Sequence, residues 1–423
     1  MIRLACLTAL ALAAAAPPAL AQSASGPLTV AVDCQGYVPG CDLDFFQTEV
    51  GFARFVRDQA DGEVYVLVVR ENTGGGGDRY TLFFEGRDRL AGRRDTLTTS
   101  APPGASDDDQ RRALLGRLQL GLVGFAAGTP LADRLSISYD APTAEEAAEA
   151  EAAAVDPWNS WVFEIDGRGF FDGQSQQRFF NVRGSVSAQR VTEDLKVSVR
   201  PRASYNRDEY EYVADGEAVR VVSDNANYGL NAAGVVSLSA HWSAGARVDL
   251  SRNTFSNYDA RLRVTPAVEY NLFPYAESTR RQLRFFYEAG VEAAAYQDTT
   301  IFLQTEEVLP VHEAGVAAEF AQPWGSVDVY TGASQYLSKS DKYNLSIGGG
   351  VDLRVFRGFN FRIDGRYAFV RDQINLRADN ATSEEVLTNQ QELATGYTYY
   401  ASVGVSYSFG SIFNQVVNAR FGG

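Results

Sequence analysis

From Trp158 to about Gly410 the chain alternates apolar and polar residues with a period of two. Successive side chains of a strand point to opposite faces, so each run writes one greasy face and one wet face. In Phe359–Phe369, one parity holds Phe359, Phe361, Ile363, Gly365, Tyr367 and Phe369, and the other Asn360, Arg362, Asp364, Arg366 and Ala368. In Leu195–Asn206, Leu195, Val197, Val199, Pro201, Ala203 and Tyr205 oppose Lys196, Ser198, Arg200, Arg202, Ser204 and Asn206. Tyr258–Leu272 and Tyr343–Val355 behave alike. The runs span roughly 10–16 residues, whereas soluble strands have a mode of about 5–6 and bilayer-crossing strands need about 9–11.

A water-soluble sandwich would turn the greasy parity onto a protein core. Run length argues against it, as do the aromatics at run ends (Tyr258 and Tyr270, Phe359 and Phe369, Tyr397 and Phe409) and the Arg and Asp on the wet parity. A closed sheet in lipid meets hydrocarbon with its greasy face, carries aromatic girdles and keeps a polar lumen, with every backbone group paired. The expected fold class is an all-β transmembrane antiparallel barrel of about 12 strands, preceded by a small α/β domain. The pattern places strands near 160–171, 177–190, 193–207, 225–240, 241–255, 257–272, 281–297, 307–321, 325–338, 341–356, 359–377 and 396–410. Compact connections fall near Thr192, Ala240, Phe273–Arg280, Pro323 and Gly358, and longer ones at Asp208–Asp224, Asp298–Glu306 and Ala378–Thr395. An even strand count puts both barrel ends on the side of the short turns, the periplasmic side in bacterial barrels.

Composition narrows the remaining classes. Lys and Arg total 38 against 53 Asp and Glu, a net charge of −15, which disfavours any phosphate-backbone partner; no nucleic acid is expected. Mean hydropathy is −0.20, and beyond the N-terminus no apolar run reaches the ~18 residues of a membrane helix. Arg3, the apolar run Leu4–Ala16, the break Pro17-Pro18 and Ala19-Leu20-Ala21 read as a signal peptide over 1–21, cut before Gln22. Cys6 leaves with it. The exported chain keeps Cys34 and Cys41 in a Gly/Pro-containing loop, expected to form a disulfide in an oxidising compartment.

A periplasmic α/β domain is expected over 27–140. Leu28–Val32, Val64–Val69, Tyr80–Phe84 and Thr96–Thr99 read as strands, with Leu135–Tyr139 closing the sheet. Asp42–Asp58 reads as one helix, with Leu43, Phe46, Val50 and Ala53 on its stripe and Phe52 and Val56 widening it. A second helix opens at Asp107-Asp108-Asp109 and runs to about Phe125, with Leu114, Leu118, Leu122 and Phe125 aligned. The glycine run Gly74–Gly77 lacks the Lys-Ser/Thr of a phosphate loop and precedes a strand, so it reads as a turn. An Ala/Glu-rich linker covers 141–157.

The charged parity of the barrel region supplies the candidate site. A lumen charge network is expected from Glu164, Asp166, Arg168, Arg200, Arg202, Arg261, Arg263, Arg284, Glu288, Glu292, Arg354, Arg362, Asp364 and Arg366. Arg183, Lys196, Arg247, Asp249, Glu269, Glu319, Asp328 and Asp352 share that face. Nearly balanced charges at this width pair into a network that closes the lumen, line a narrow channel of weak selectivity, or merely keep the interior wet and rigid. His241 and His312 are the chain's two histidines, and neither has a Ser–acid arrangement readable from spacing. Glu306-Glu307 and Asp208, Glu209 and Glu211 read as solvated loop charges. No catalytic group, cofactor or metal is expected.

The octet Ser402-Val403-Gly404-Val405-Ser406-Tyr407-Ser408-Phe409 resembles the terminal-strand signal of Gram-negative outer-membrane β-barrel proteins, through Gly404, Tyr407 and Phe409. The resemblance implies insertion by the barrel-assembly machinery into outer-membrane lipid, with the N-terminal domain in the periplasm. The signal usually ends the chain, whereas here residues 411–423 follow as a periplasmic tail. The expected role is non-enzymatic: a narrow solute channel, or an envelope component tethered to a periplasmic protein or the cell wall through its N-terminal domain. An outer-membrane lipid hydrolase using a His/Ser site is the alternative.

Overall fold

The computed structural model describes residues 27–136, 138, 156–214, 216–356, 358–379 and 391–407. The expected signal peptide, most of the linker, Phe409 and the tail 411–423 lie outside them.

The N-terminal region is a five-stranded mixed sheet with two helices, in the order β1 (Leu28–Cys34), α1 (Leu43–Glu49), β2 (Ala53–Phe55), β3 (Val64–Asn72), β4 (Asp78–Gly86), β5 (Arg94–Ala101) and α2 (Asp107–Ala126). The strands lie β2-β1-β3-β4-β5. β1 runs parallel to β2 and β3, and β3, β4 and β5 are antiparallel. Asp42 caps α1 by accepting from Phe45 N at 2.9 Å, and Ser106 and Asp109 form a reciprocal capping box on α2. The aligned Leu114, Leu118, Leu122 and Phe125 are all buried against Val64, Val66, Val68, Leu82 and Phe84. Cys34 and Cys41 form a disulfide across a Cα–Cα distance of 6.5 Å.

Two local readings change. The helix expected over Asp42–Asp58 stops at Glu49. Gly51 interrupts it, and Ala53–Phe55 instead completes a parallel ladder beside Leu28–Val30. Phe46, Val50, Ala53 and Val56 are buried here at a spacing that also fits one helix face, so the apolar stripe alone does not separate helix from helix-plus-strand. The closing strand at Leu135–Tyr139 is not formed by its described residues Leu135, Ser136 and Ser138, and β5 remains an edge.

Gly121 marks the tightest approach of α2 to the sheet. A Cβ there would lie 2.2 Å from Phe84 Cζ, on a ring that is itself buried. Gly121→Ala is expected to cost about 1–3 kcal/mol by overpacking, measurable as a lower urea midpoint of the detergent-solubilised chain, while Gly124→Ala, with open space around it, leaves the midpoint in place.

The remainder is one antiparallel sheet of 12 strands in sequential order. They are β6 (Trp161–Gln174), β7 (Gln177–Val191), β8 (Leu195–Ala214), β9 (Glu217–Ser237), β10 (Trp242–Asn253), β11 (Tyr258–Asn271), β12 (Arg281–Tyr296), β13 (Glu306–Gln322), β14 (Gly325–Tyr336), β15 (Lys339–Phe356), β16 (Phe359–Val370) and β17 (Tyr397–Tyr407). β6 and β17 are its two edges, and both meet the same end of the sheet, called here the near end.

Two segments depart from the sequence pattern. Asp208–Asp224 is not a loop. β8 and β9 run 20 and 21 residues and pair from Leu195↔Val236 to Ala214↔Glu217, because Tyr210, Tyr212, Val219 and Val221 keep the alternation going. The strand expected over 359–377 ends at Val370, the last residue with a pairing partner on β15. Beyond it the chain leaves the sheet and folds inward.

Candidate functional site

Ladder registers put all the expected network residues on one face. Asp166 stands opposite Ser185, Ser185 opposite Arg202, Arg202 opposite Gly229, Gly229 opposite Ser251 and Ser251 opposite Arg261. The same face continues through Arg263↔Glu292 and Ala267↔Glu288, and on to Asp352↔Arg362 and Gly348↔Arg366. Burial is inverted relative to a soluble sheet. Glu292 and Glu288 are 1% and 5% exposed on this face, while Ile347 and Val291 are 53% and 48% exposed on the other.

Ion pairs gather on β10 to β13. Arg261 donates to Glu292 at 2.6 Å, and the Tyr336 hydroxyl donates to the other oxygen at 2.8 Å. Glu288 takes Arg247 at 3.2 Å and Arg263 at 3.6 Å, and Arg263 also reaches Glu313 at 3.3 Å. Arg284 lies 3.5 Å from Glu269 and 3.0 Å from Glu319. Arg362 is 3.3 Å from Asp352. Glu288 and Glu313 are directly opposed on neighbouring strands, and the shared Arg263 offsets their repulsion. Among the described residues Glu164, Asp166, Arg168, Arg200, Arg202, Asp364 and Arg366 join no ion pair. Arg354 pairs across the molecule, with Asp33 of β1.

Sequence reasoning passed over Glu313, although it shares the parity of Glu319. It also passed over Tyr296 and Tyr336, which share the parity of Glu292 and Asp328, because an aromatic residue counts as apolar on either face. Tyr258, expected among the girdle aromatics, is instead buried beside Tyr296 with Arg261 over its ring, because an irregularity in the ladder after Tyr258 turns it to the charged face.

Both ends of this face are covered. At the far end, Ile374 is fully buried against Leu309, Val311 and Tyr336. Asn375 Nδ2 donates to Ser256 O at 3.0 Å, Asn257 Nδ2 donates to Asn375 O at 2.9 Å, and Arg377 donates to Thr254 O at 3.0 Å. The connection after β16 therefore crosses to the β10–β11 connection.

At the near end sits the α/β domain. Arg354 donates to Asp33, whose other oxygen accepts from Tyr65 at 2.6 Å. Burial pushes the Tyr65 hydroxyl far above its ordinary range, and Asp33 beside it pushes the same way. Gln59 donates to Pro323 O at 3.2 Å, Gly358 N donates to Asp58 at 2.7 Å, and Arg280 stacks on Phe83 at 4.9 Å. On the opposite flank, a Cβ at Gly74 would fall 2.3 Å from Val191 Cβ, so bare backbone is what lets the β3–β4 turn lie on β7. Asp33–Gly36 and Gly404–Ser406 of β17 line one cavity of about 440 Å³.

A flat sheet of this many strands would separate its edges by roughly 53 Å at ~4.8 Å per strand. A domain of this length has a radius of gyration near ~13 Å. It nevertheless reaches Val162 of β6 through Gly76 and the end of β17 through Gln35 and Gly36, so the sheet bends around it. The charged face is the concave one. On β6 to β11 it lines an open cavity of about 760 Å³.

The outward face carries aromatics at two levels. Trp161, Trp242, Tyr270, Phe285, Phe359 and Tyr407 lie toward the near end, and Phe171, Phe180, Tyr343, Phe369 and Tyr397 toward the far end. His312 is on this face, with its ring nitrogens 3.4 Å from the Tyr287 hydroxyl and 3.4 Å from Gln335 Oε1. His241 Nδ1 is 2.8 Å from Asn271 O. Neither imidazole hydrogen-bonds a serine hydroxyl or a carboxylate among the described residues. Glu209 is taken by Arg178, Arg207 and Arg220, and Glu307 by Lys339 and Tyr296. Gly404 and Tyr407 pair with Arg362 and Phe359 in the last ladder of the sheet, between β16 and β17.

No family model matches the sequence, and no curated protein does. Solved structures that it is similar to include the NanC porin, at 10% identity over 58% of this chain and 99% of that one, with a TM-score of 0.27. The translocator domain of the autotransporter NalP from Neisseria meningitidis gives 11% identity, 62% and 93% coverage and a TM-score of 0.22. A mutant of Rh. blastica porin gives 10% identity, 59% and 100% coverage and a TM-score of 0.16. Likeness at this level says nothing about role.

Proposed function

We propose that this chain is an outer-membrane β-barrel that conducts small solutes along its charged face, with the α/β domain across the periplasmic mouth. The observation that carries this reading is the inversion of burial. Carboxylates are buried on the concave face while large apolar side chains stand exposed on the convex one. In water that arrangement wastes the hydrophobic effect; in hydrocarbon it is the stable one.

The aromatic levels give an independent length. Trp161 and Phe171, Phe359 and Phe369, and Tyr407 and Tyr397 are each ten positions apart. Ten residues at ~3.3 Å make ~33 Å along a strand. A tilt of about 40° brings this to ~25 Å along the barrel axis, the height of an outer-membrane apolar band. In this reading β6 meets β17 and closes the sheet, the Ser402–Phe409 octet is what the barrel-assembly machinery reads, and β8 and β9 stand clear of the membrane at the outer surface.

Reconstituted in a planar bilayer, the purified protein is expected to show discrete conductance steps smaller than those of a 16-stranded porin, since the far-end connection and the domain both narrow the path. A bilayer that stays silent at all voltages overturns the channel and leaves the role of an envelope component held through its periplasmic domain.

A further inference from the structure

We propose that the concave face of β6 to β8 is a binding site for small oxyanionic solutes, bearing a carboxylate or a phosphate. This deepens the channel reading by naming what the lumen takes. Arg168 and Arg183 are directly opposed on neighbouring strands, and Arg200 and Arg202 lie on the next. All four line the 760 Å³ cavity. On β10 to β13 opposed like charges share a counterion, as Glu288 and Glu313 share Arg263. Here the four guanidiniums have no carboxylate partner among the described residues, and Asp166 is the unpaired carboxylate in the lining. Opposed like charges with no counterion are a cost, and a bound anion removes it.

The cationic group is also positioned. Asn181, 3% exposed, accepts from Arg183 Nε at 3.1 Å and donates to Asn206. The planar forks of Arg match carboxylate and phosphate oxygens two at a time. The site is on the face opposite the one read as lipid-facing, which favours a free solute over a lipid headgroup.

Inorganic phosphate and acetate, titrated calorimetrically into the full chain in detergent at low ionic strength, are the probes. Saturable binding of either is expected, weakened at least tenfold in R183Q/R202Q and unchanged in R178Q, whose arginine pairs with Glu209. R202K, which keeps the charge and loses the fork, falls between. The heat-dependent gel shift of folded barrels shows which variants have folded. In bilayers under a salt gradient, the reversal potential of wild type is expected on the anion-selective side, moving toward zero in R183Q/R202Q. Binding without conductance sinks the channel and keeps the site. Conductance with no binding and no change of reversal potential sinks the site and keeps the channel. Vesicles bearing phosphatidylglycerol that compete with inorganic phosphate for the same arginines assign the site to a headgroup and overturn the solute.

Discussion

Ile347→Arg is expected to destabilise the folded protein by about 2–4 kcal/mol in lipid vesicles, read as a lower urea midpoint. The residue sits mid-strand on β15, 53% exposed on the convex face. On a water-soluble protein a half-exposed position tolerates such a change within about ±0.5 kcal/mol. The two expectations differ by several-fold, and they differ because of what the face touches rather than what the residue contacts. Repeating the substitution at Val355, toward the near end of the same strand, is expected to cost less, about 0–1 kcal/mol, since an arginine there reaches the interface. A flat profile along β15 would place water, not hydrocarbon, against the greasy parity, and the proposed location would fall with it.

The second large effect lies on the opposite face. Glu292 is 1% exposed and held by Arg261 and Tyr336. Glu292→Ala leaves a guanidinium and a hydroxyl without their shared acceptor, and removing one partner of a buried pair costs about 3–5 kcal/mol. Glu292→Gln keeps an acceptor for Tyr336 and loses the charge, so its cost is intermediate. Arg366→Ala, from an arginine with no ion pair among the described residues, is expected within about ±0.5 kcal/mol. If all three variants melt together, the pairing is decoration and the rigidity of the lumen comes from the sheet alone.

Much of this was written in period two. The strand count, the near-end turns and the identity of the charged face follow from parity, because a strand that places Arg362 on one side has no choice about Ile363. What parity does not carry is where a strand stops. Asp208–Asp224 is rich in charge and reads as a loop, yet its alternation persists and a hairpin forms; Val370 to Leu376 alternates equally well and still leaves the sheet. The difference is a competing contact: β9 pairs with β8 to its end, whereas β15 continues past Asn344 to Lys339 and the chain after Val370 leaves it, Ile374 packing instead on Leu309, Val311 and Tyr336. Strand ends are thus decided by neighbours, which one strand's sequence does not record. The same limit hid the near-end contact, since nothing at Asp33 announces Arg354. In the small domain, Ala53–Phe55 reads as helix because a buried stripe satisfies both periods over so few residues.

The ion pair between Asp33 and Arg354 joins positions 321 apart in sequence. Almost the whole polypeptide must be threaded, turned and aligned before those two groups meet, so their encounter belongs to the slowest class of contact a chain makes. The α/β domain is built from nearer neighbours, so on sequence separation alone it is expected to be complete earlier. The later strands then arrive against a surface already formed. Chronology is written into such an architecture: the near end of the sheet is covered by the part of the molecule expected to finish first.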